Sequence, residues 1–96
     1  MNHYHVYILL CSDGSYYTGI TNNMERRLIE HQSGENKDCY TFKRRPVKLV
    51  FNEVFNDVNH AIAFEKQVKG WRRAKKEAII NGNWDLLPEL SKAKGL

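Results

Sequence analysis

Two short runs near the start of the chain, Val6 to Cys11 and Tyr16 to Thr21, are rich in apolar, aromatic and β-branched residues. Between them lies an Asp13-Gly14 pair. Two such runs around an Asp-Gly pair are a strong short-range signal for a β-hairpin. The first two elements of the chain are therefore predicted to be paired strands.

The turn of this hairpin decides which side chains share a face of the sheet. A two-residue turn places Leu10 opposite Tyr17, and Tyr7 then points to the other face. A three-residue loop with Gly14 in the left-handed region places Leu9 opposite Tyr17 instead. We predict this second register, which puts Tyr7 and Tyr17 on one face, roughly 7–8 Å apart at their backbones.

A helix is predicted directly after the hairpin. Asn22 and Glu25 have the spacing of a capping box at its start, and Gly34 is a suitable C-terminal stop. Arg27 and His31 are four residues apart, so they lie on the same face of this helix.

The rest of the chain predicts one further strand and two helices. Residues 35–46 are typical of a loop, 47–55 of a strand, 58–69 of a helix capped by Asn56 or Asp57, and 71–80 of a basic helix after a break at Gly70. The order β-β-α-β-α-α indicates an α+β fold, with one small sheet covered by helices. Ninety-six residues form a single domain, 1–96, and the apolar Trp84, Leu86, Leu87 and Leu90 predict that the tail 81–96 docks on the body.

Composition adds a few limits. No apolar run approaches the length of a membrane span, and no signal peptide precedes the first strand, so we expect a cytoplasmic protein with no membrane partner. Cys11 and Cys39 fit no zinc pattern and are expected to be free thiols. The net charge is +4, which suits a polyanionic partner but does not identify one.

One acidic residue lies on the apolar face of the second predicted helix. That face contains Val58, Ala61, Ile62, Phe64 and Val68, and at about 100° per residue Glu65 falls inside the same arc. A buried carboxylate is costly unless it is paired, protonated or bound to a metal. Glu65 therefore either forms an ion pair with an arginine such as Arg27 or serves as a ligand for Mg²⁺ or Mn²⁺.

The motif Val6-Tyr7-Ile8, followed by Tyr17-Thr18-Gly19 and then by Arg27 and His31, resembles the GIY-YIG nuclease superfamily. It looks most like the small stand-alone bacterial members, and the resemblance runs from about residue 4 to residue 80. There are three departures: His5 replaces the first glycine, Val6 the first isoleucine and Thr18 the second isoleucine. These changes affect strand packing more than chemistry.

The resemblance implies a three-stranded antiparallel sheet flanked by helices, and a metal-dependent endonuclease. Glu65 would hold Mg²⁺ or Mn²⁺, and Arg27 would bind the scissile phosphate. Tyr7 looks like the general base or the group that positions water, while Tyr17 and His31 would orient that water. A free tyrosine has a pKa of about 10, so Tyr7 needs a cationic pocket, whereas His31 at about 6.5 is the easier base. The assignment between them stays open.

The expected substrate is DNA, in a branched, nicked or flapped form rather than a specific sequence, with a role in DNA repair or recombination. No segment of the chain looks like a dedicated base-reading element, and a protein partner is compatible with so small a domain. Tyr40 and Phe42 are suited both to stacking on bases and to covering the sheet, and the two roles are compatible. The alternative function is a non-catalytic module that binds nucleic acid or a repair partner.

The predicted DNA-binding cations are Lys43, Arg44, Arg45, Lys69, Arg72, Arg73 and Lys76. A further polar residue of the site is either Asn81 or Asn83, and the sequence does not decide between them.

Overall fold

A computed structural model describes residues 3–88 and contains three β-strands and three α-helices. Single 3₁₀ turns occur at Phe42–Arg44 and Trp84–Leu86. The strands are β1 (Tyr4–Leu10), β2 (Tyr16–Thr21) and β3 (Lys48–Phe55), and the helices are α1 (Met24–Ser33), α2 (Val58–Lys69) and α3 (Arg73–Ile80). The predicted α+β fold and element order are confirmed.

The strands form one antiparallel sheet in the order β2-β1-β3. In the hairpin, Leu9 is opposite Tyr17, which is the predicted register. The Cys11 N–H donates to the Ser15 carbonyl at 2.8 Å and closes a three-residue loop, in which Gly14 has φ 84°. Because this loop fixes the register, it also decides that the rings of Tyr7 and Tyr17 can meet.

The cap of α1 differs by one residue from the prediction. Asn23, and not Asn22, is the N-cap, and its side chain accepts a hydrogen bond from the Arg26 N–H at 3.0 Å. The reason is that β2 continues to Thr21, whose hydroxyl accepts from the Asn23 N–H at 3.1 Å. The helix ends as predicted at Gly34, which has φ 71°.

The boundaries of the two later helices follow from their flanking residues. Asp57 caps α2, accepting from the N–H groups of the first turn. The third helix begins at Arg73, two residues later than predicted, because Trp71 packs into the core and its N–H donates to the Val68 carbonyl. The predicted apolar face of α2 is too wide, since Val58 and Ile62 are exposed. With three strands, the sheet is too narrow to cover the side chains of Val58 and Ile62.

The core consists of two clusters, one on each face of the sheet. Tyr7 and Leu9 belong to the cluster covered by α1, and Ile8 belongs to the cluster formed with α2 and α3. All three side chains are fully buried. The middle of β1 is therefore covered on both faces, and Tyr7 is part of the core.

The segment after α3 returns to the second cluster. The Trp84 ring centroid lies 6.0 Å from that of Phe51 and 6.2 Å from that of Phe64, and Leu87 packs against the same cluster. Residues 89–96, including Leu90 of the predicted tail, lie outside the described residues. Within residues 3–88, no helix has both the length and the apolarity needed to cross a membrane.

Candidate active site

Four of the predicted site residues lie together on the α1 side of the sheet. The ring centroids of Tyr7 and Tyr17 are 6.3 Å apart, and the imidazole of His31 lies 5.9 Å from the first and 5.2 Å from the second. Arg27, one turn before His31 on α1, reaches the same phenol of Tyr7. The hairpin register and the helical spacing together produce this cluster.

A row of hydrogen bonds runs through the cluster. The Arg27 Nε–H donates to Tyr7 Oη at 3.4 Å, and Tyr7 Oη lies 2.9 Å from His31 Nε2. On the other side of the ring, His31 Nδ1 lies 2.9 Å from Thr41 Oγ1, and the Thr41 hydroxyl donates to Cys39 Sγ at 3.4 Å.

The directions of these bonds assign the tautomer of His31. With the Thr41 hydroxyl as donor to Cys39 Sγ, Thr41 Oγ1 is left to accept from His31 Nδ1–H, and we assign that tautomer to the resting site. The other ring nitrogen, Nε2, is then unprotonated and accepts the hydrogen of the Tyr7 phenol. The network therefore has one direction, from Arg27 through Tyr7 and His31 to Thr41.

Thr41 is a residue that the sequence analysis missed. It is only 1% exposed although it lies in the loop before β3, and it holds the imidazole from behind. A single threonine in a polar loop gives no signal in one sequence. The neighbouring 3₁₀ turn, where the Arg44 N–H donates to the Thr41 carbonyl at 3.0 Å, keeps it in place.

Gly19 has a spatial role in the site. A Cβ added at this position would overlap Tyr7 Oη and lie 2.5 Å from Tyr7 Cζ. Its φ is not positive, so the requirement is for space and not for backbone freedom. The absence of a side chain at Gly19 is what allows the Tyr7 phenol to lie across β2.

The pKa of Tyr7 moves in the opposite direction to the one expected. Burial raises the pKa of Tyr7 to about 12, and this effect outweighs the hydrogen bond and positive charge of Arg27, which lower it. The sequence analysis weighed the cationic pocket but not the full burial of this ring. At neutral pH only about one Tyr7 in 100,000 is a phenolate, so Tyr7 is a neutral phenol in the resting site.

The pKa of His31 is lowered from its ordinary value of 6.5, first by burial and then by the charge of Arg27. The hydrogen bond to Tyr7 raises the pKa of Arg27, which stays a cation at any physiological pH. The site therefore presents a fixed positive charge, a neutral phenol and a neutral imidazole with an acceptor nitrogen facing the phenol.

Glu65 is on α2 and is connected to the cluster through a lysine. Its side chain is 12% exposed, and Oε2 lies 3.4 Å from Lys69 Nζ, one turn later. Lys69 lines a cavity with Tyr17. The ion-pair alternative with Arg27 was wrong, because Arg27 pairs with Glu30 at 3.1 Å.

The Glu65 carboxylate is suited to a hard divalent cation. Mg²⁺ takes one or two carboxylates and keeps several waters or phosphate oxygens. Among the described residues there is no group of three or more His, Cys, Asp or Glu side chains able to hold a metal ion. The donor set fits a cation that is carried largely by water and by the substrate, and it does not fit a structural zinc site.

Two of the predicted DNA-binding arginines are held by contacts within the chain. Arg44 donates to Asp13 Oδ2 at 3.0 Å and stacks over Tyr40, with its Cζ 3.8 Å from the ring centroid. Arg45 lies over the Phe42 ring and donates to the Phe42 carbonyl. Tyr40 also stacks on Tyr17, with centroids 6.2 Å apart. Both aromatic residues thus pack within the fold, while Tyr40 remains 43% exposed, so its role in base stacking stays a prediction.

The remaining predicted cations are distributed on the surface and along a cavity. Arg73 donates to Glu77 Oε2 at 3.0 Å and to the Gly14 carbonyl at 2.6 Å. Lys43 and Arg72 lie on the surface, and Lys69 and Lys76 line the cavity beside Tyr17.

Comparison with known proteins identifies the family to which this chain belongs. Residues 3–78 match the model of the GIY-YIG catalytic domain. The chain belongs to the GIY-YIG family. This family is of nuclease type, its nucleases generally use divalent metals, and its members bind DNA.

Several small GIY-YIG relatives are similar over most of their length. A UPF0213 protein of Syntrophus aciditrophicus is 46% identical over 83 residues, which cover 86% of this chain and 95% of the relative. The solution structure of UPF0213 protein BH0048 from Bacillus halodurans is 44% identical, with a TM-score of 0.54 and 84% of each chain covered. That of EF2693 from E. faecalis is 39% identical, with a TM-score of 0.61, and the match covers 84% of this chain and 85% of that chain.

Proposed function

We propose that this protein is a divalent-metal-dependent endonuclease that hydrolyses DNA phosphodiester bonds by attack of a water molecule activated at Tyr7. The observation that carries the proposal is the directed row of hydrogen bonds from Arg27 to Tyr7 and from Tyr7 to His31. A buried tyrosine that only packs needs one partner for its hydroxyl. Here Tyr7 Oη accepts a hydrogen bond from the Arg27 guanidinium, and the Tyr7 hydroxyl donates its hydrogen to the unprotonated Nε2 of His31.

In this mechanism Tyr7 and His31 act as one base. The pKa of Tyr7, at about 12, makes a resting phenolate too rare to serve. Tyr7 is 0% exposed in the resting site, so the step requires that substrate binding uncovers its hydroxyl. As the water then attacks phosphorus, Tyr7 Oη takes the proton of the water, and the proton of Tyr7 moves to His31 Nε2, 2.9 Å away. We propose a relay in place of a single base, in which Tyr7 contacts water and His31 receives the charge.

Thr41 and Arg27 stabilise the two ends of this relay. Thr41 accepts from Nδ1–H of His31 in the resting site and continues to do so in the imidazolium, so no reorientation is needed. Arg27 stays protonated and favours negative charge both on Tyr7 Oη and on the attacked phosphate.

Glu65 is the residue proposed to hold Mg²⁺ or Mn²⁺, together with water and phosphate oxygens. When bound, the cation would stabilise charge on the phosphate and on the leaving 3′-oxygen. Tyr17 lies between His31 and the cavity that contains Lys69, so it is placed to orient the water and the phosphate.

We propose a cytoplasmic role in DNA repair or recombination, on branched, nicked or flapped DNA. The basic residues of the chain are suited to phosphate contacts, which position a duplex without reading its sequence. No described element combines side chains in the arrangement that reads base edges in a groove. A protein partner is compatible with a catalytic domain of 96 residues.

One observation favours the alternative of a module that binds nucleic acid without cutting it. Lys69 lies on the Glu65 carboxylate, 3.4 Å away, and an ammonium in that position competes with a divalent cation. Lys69 is exposed although Glu65 is not, and an i,i+4 helix pair with one solvated partner is weak, about 0.3–0.5 kcal/mol. Because a divalent cation can displace so weak a partner, the enzyme is the better-supported function.

The test is a nicking assay on a panel of branched, nicked and flapped DNA with Mg²⁺ or Mn²⁺. Tyr7→Phe removes the relay and is expected to lower the rate by about 10²–10⁴-fold, and Glu65→Ala is expected to abolish the metal dependence. Tyr4→Phe, a tyrosine on the same strand with no assigned role, is the matched control and should cut normally. Salt-dependent DNA binding with no cleavage by the unmodified protein would establish the binding module instead.

A further inference from the structure

A second cavity lies beside the catalytic cluster, at the free edge of β2. It has a volume of about 400 Å³ and is lined by Tyr16, Tyr17, Thr18, Tyr40, Lys69 and Lys76. β2 is an edge strand, and the two lysines reach it from α2 and α3. A volume of this size is within the range of small-ligand sites.

Two cations face this cavity, and they disfavour each other. Burial lowers the pKa of Lys76, and the positive charge of Lys69 lowers it further. Lys69 is partly balanced by Glu65, but Lys76 has no ion-pair partner within residues 3–88. Two ammonium groups placed so that they repel each other are stabilised when an anion lies between them.

A buried hydroxyl is also part of this lining. Thr18 is 3% exposed, and its Oγ1 makes no hydrogen bond to any of the residues that the structure describes. Burial removes the hydrogen bonds that a hydroxyl makes to water, and without a partner in the protein no new bond replaces them, which costs free energy. Because this oxygen is closed to solvent, Thr18 forms part of the cavity wall and does not reach a group bound in the cavity.

We propose that this cavity is a phosphate-binding subsite, in which Lys69 and Lys76 bind one phosphate group of a nucleic acid strand. Arg44 and Arg73 could also bind a phosphate, but each already pairs with a carboxylate of the chain, Arg44 with Asp13 and Arg73 with Glu77. The two lysines are therefore the cations best placed to meet a ligand next to Tyr17.

The bound group is the phosphate adjacent to the one that is cut, a role that rests on the nuclease function proposed above. Tyr17 forms part of the cavity wall and also contacts the ring of His31, with centroids 5.2 Å apart. A strand whose phosphate occupies the cavity is thereby led across Tyr17 toward the hydrogen-bonded row. Binding itself requires neither a metal nor cleavage.

The experiment is an NMR titration of the full-length, metal-free protein, following backbone amides and lysine ammonium groups. Three probes are compared at constant ionic strength: inorganic phosphate, thymidine 5′-monophosphate and the dinucleoside TpT, whose only phosphate is an internal diester. We expect saturable shifts at residues 16–18, Lys69 and Lys76. Saturation by TpT identifies an internal phosphate as the ligand, and saturation by the monophosphate alone identifies a strand terminus.

Matched variants separate a built subsite from general attraction to a basic surface. Lys76→Met should weaken phosphate binding about tenfold or more. Lys75→Met makes the same charge change at the neighbouring position, where the ammonium lies over the Trp71 ring, and should change the affinity less than about twofold. Equal losses in the two lysine variants, or shifts spread over the whole surface, would overturn the proposal.

The outcome for this subsite is independent of the outcome for the nuclease. Phosphate binding at the cavity in a protein that never cuts DNA would refute the proposed function and leave the subsite standing. Tyr7-dependent cleavage without saturable phosphate binding would refute the subsite alone.

Discussion

Replacing Gly19 by alanine is expected to disrupt the site through the buried ring of Tyr7. The new Cβ would lie 2.5 Å from Tyr7 Cζ and would overlap Tyr7 Oη. Carbon atoms in contact are normally about 3.5–4.0 Å apart. The ring or the strand must therefore shift by about 1 Å, and Tyr7, at 0% exposure, has no open space on either side.

The cost of this shift is that of overpacking a core by one methyl group, about 1–3 kcal/mol. The same movement takes Tyr7 Oη away from His31 Nε2, which now lies at 2.9 Å. We therefore expect two effects from one methyl group, a loss of about 2 kcal/mol in the free energy of unfolding and a loss of nicking comparable to that of Tyr7→Phe.

Urea unfolding of Gly19→Ala, alone and combined with Tyr7→Leu, provides the assay. The shorter leucine removes the atoms that the methyl group meets, so the alanine should cost much less in that background, which gives a coupling free energy of about 1 kcal/mol or more. Gly70→Ala is the control, because its Cβ would have no neighbour closer than 3.7 Å and its φ is −84°. If Gly19→Ala costs the same in both backgrounds, the spatial explanation is wrong.

Three further predictions concern the support of the site. Thr41→Val leaves the Nδ1–H of buried His31 without an acceptor and should cost about 1–3 kcal/mol in urea unfolding, together with nicking activity, while Thr41→Ser should retain both. Because burial, and then Arg27, lower the pKa of His31, the unfolded chain takes up this proton at higher pH than the folded chain. The free energy of unfolding should therefore fall as the pH is lowered through about 6.5, and urea unfolding between about pH 5 and 7.5 should show a smaller slope in His31→Asn. Asn23→Ala should cost about 1 kcal/mol through loss of the α1 cap, whereas Asn22→Ala, at the position where the cap was expected, should cost little.

The backbone of the site could be predicted from the sequence because local rules fix it. The Asp13-Gly14 pair specifies a loop, the loop specifies the register, and the register places Tyr7 and Tyr17 on one face. The helical repeat then places Arg27 and His31 together. None of these steps needs information from a distant part of the chain.

The properties that were not predicted depend on contacts between distant segments. The pKa of Tyr7 is set by how completely α1 and β2 bury its ring, and the tautomer of His31 by Thr41, ten residues away in a loop. The partner of Glu65 was misjudged because a helical wheel gives a direction and not a distance. Lys69, one turn along the same helix, was nearer than any residue of α1.

Under the nuclease function proposed above, the burial of Tyr7 at the centre of β1 ties DNA cleavage to correct folding. Its reactive phenol is also a central part of the core, so a molecule that loosens on heating, ageing or misfolding loses the alignment with His31 at the same moment. A damaged copy should lose its activity rather than cut DNA at random. The genome would thus be protected by the same packing that holds the protein together.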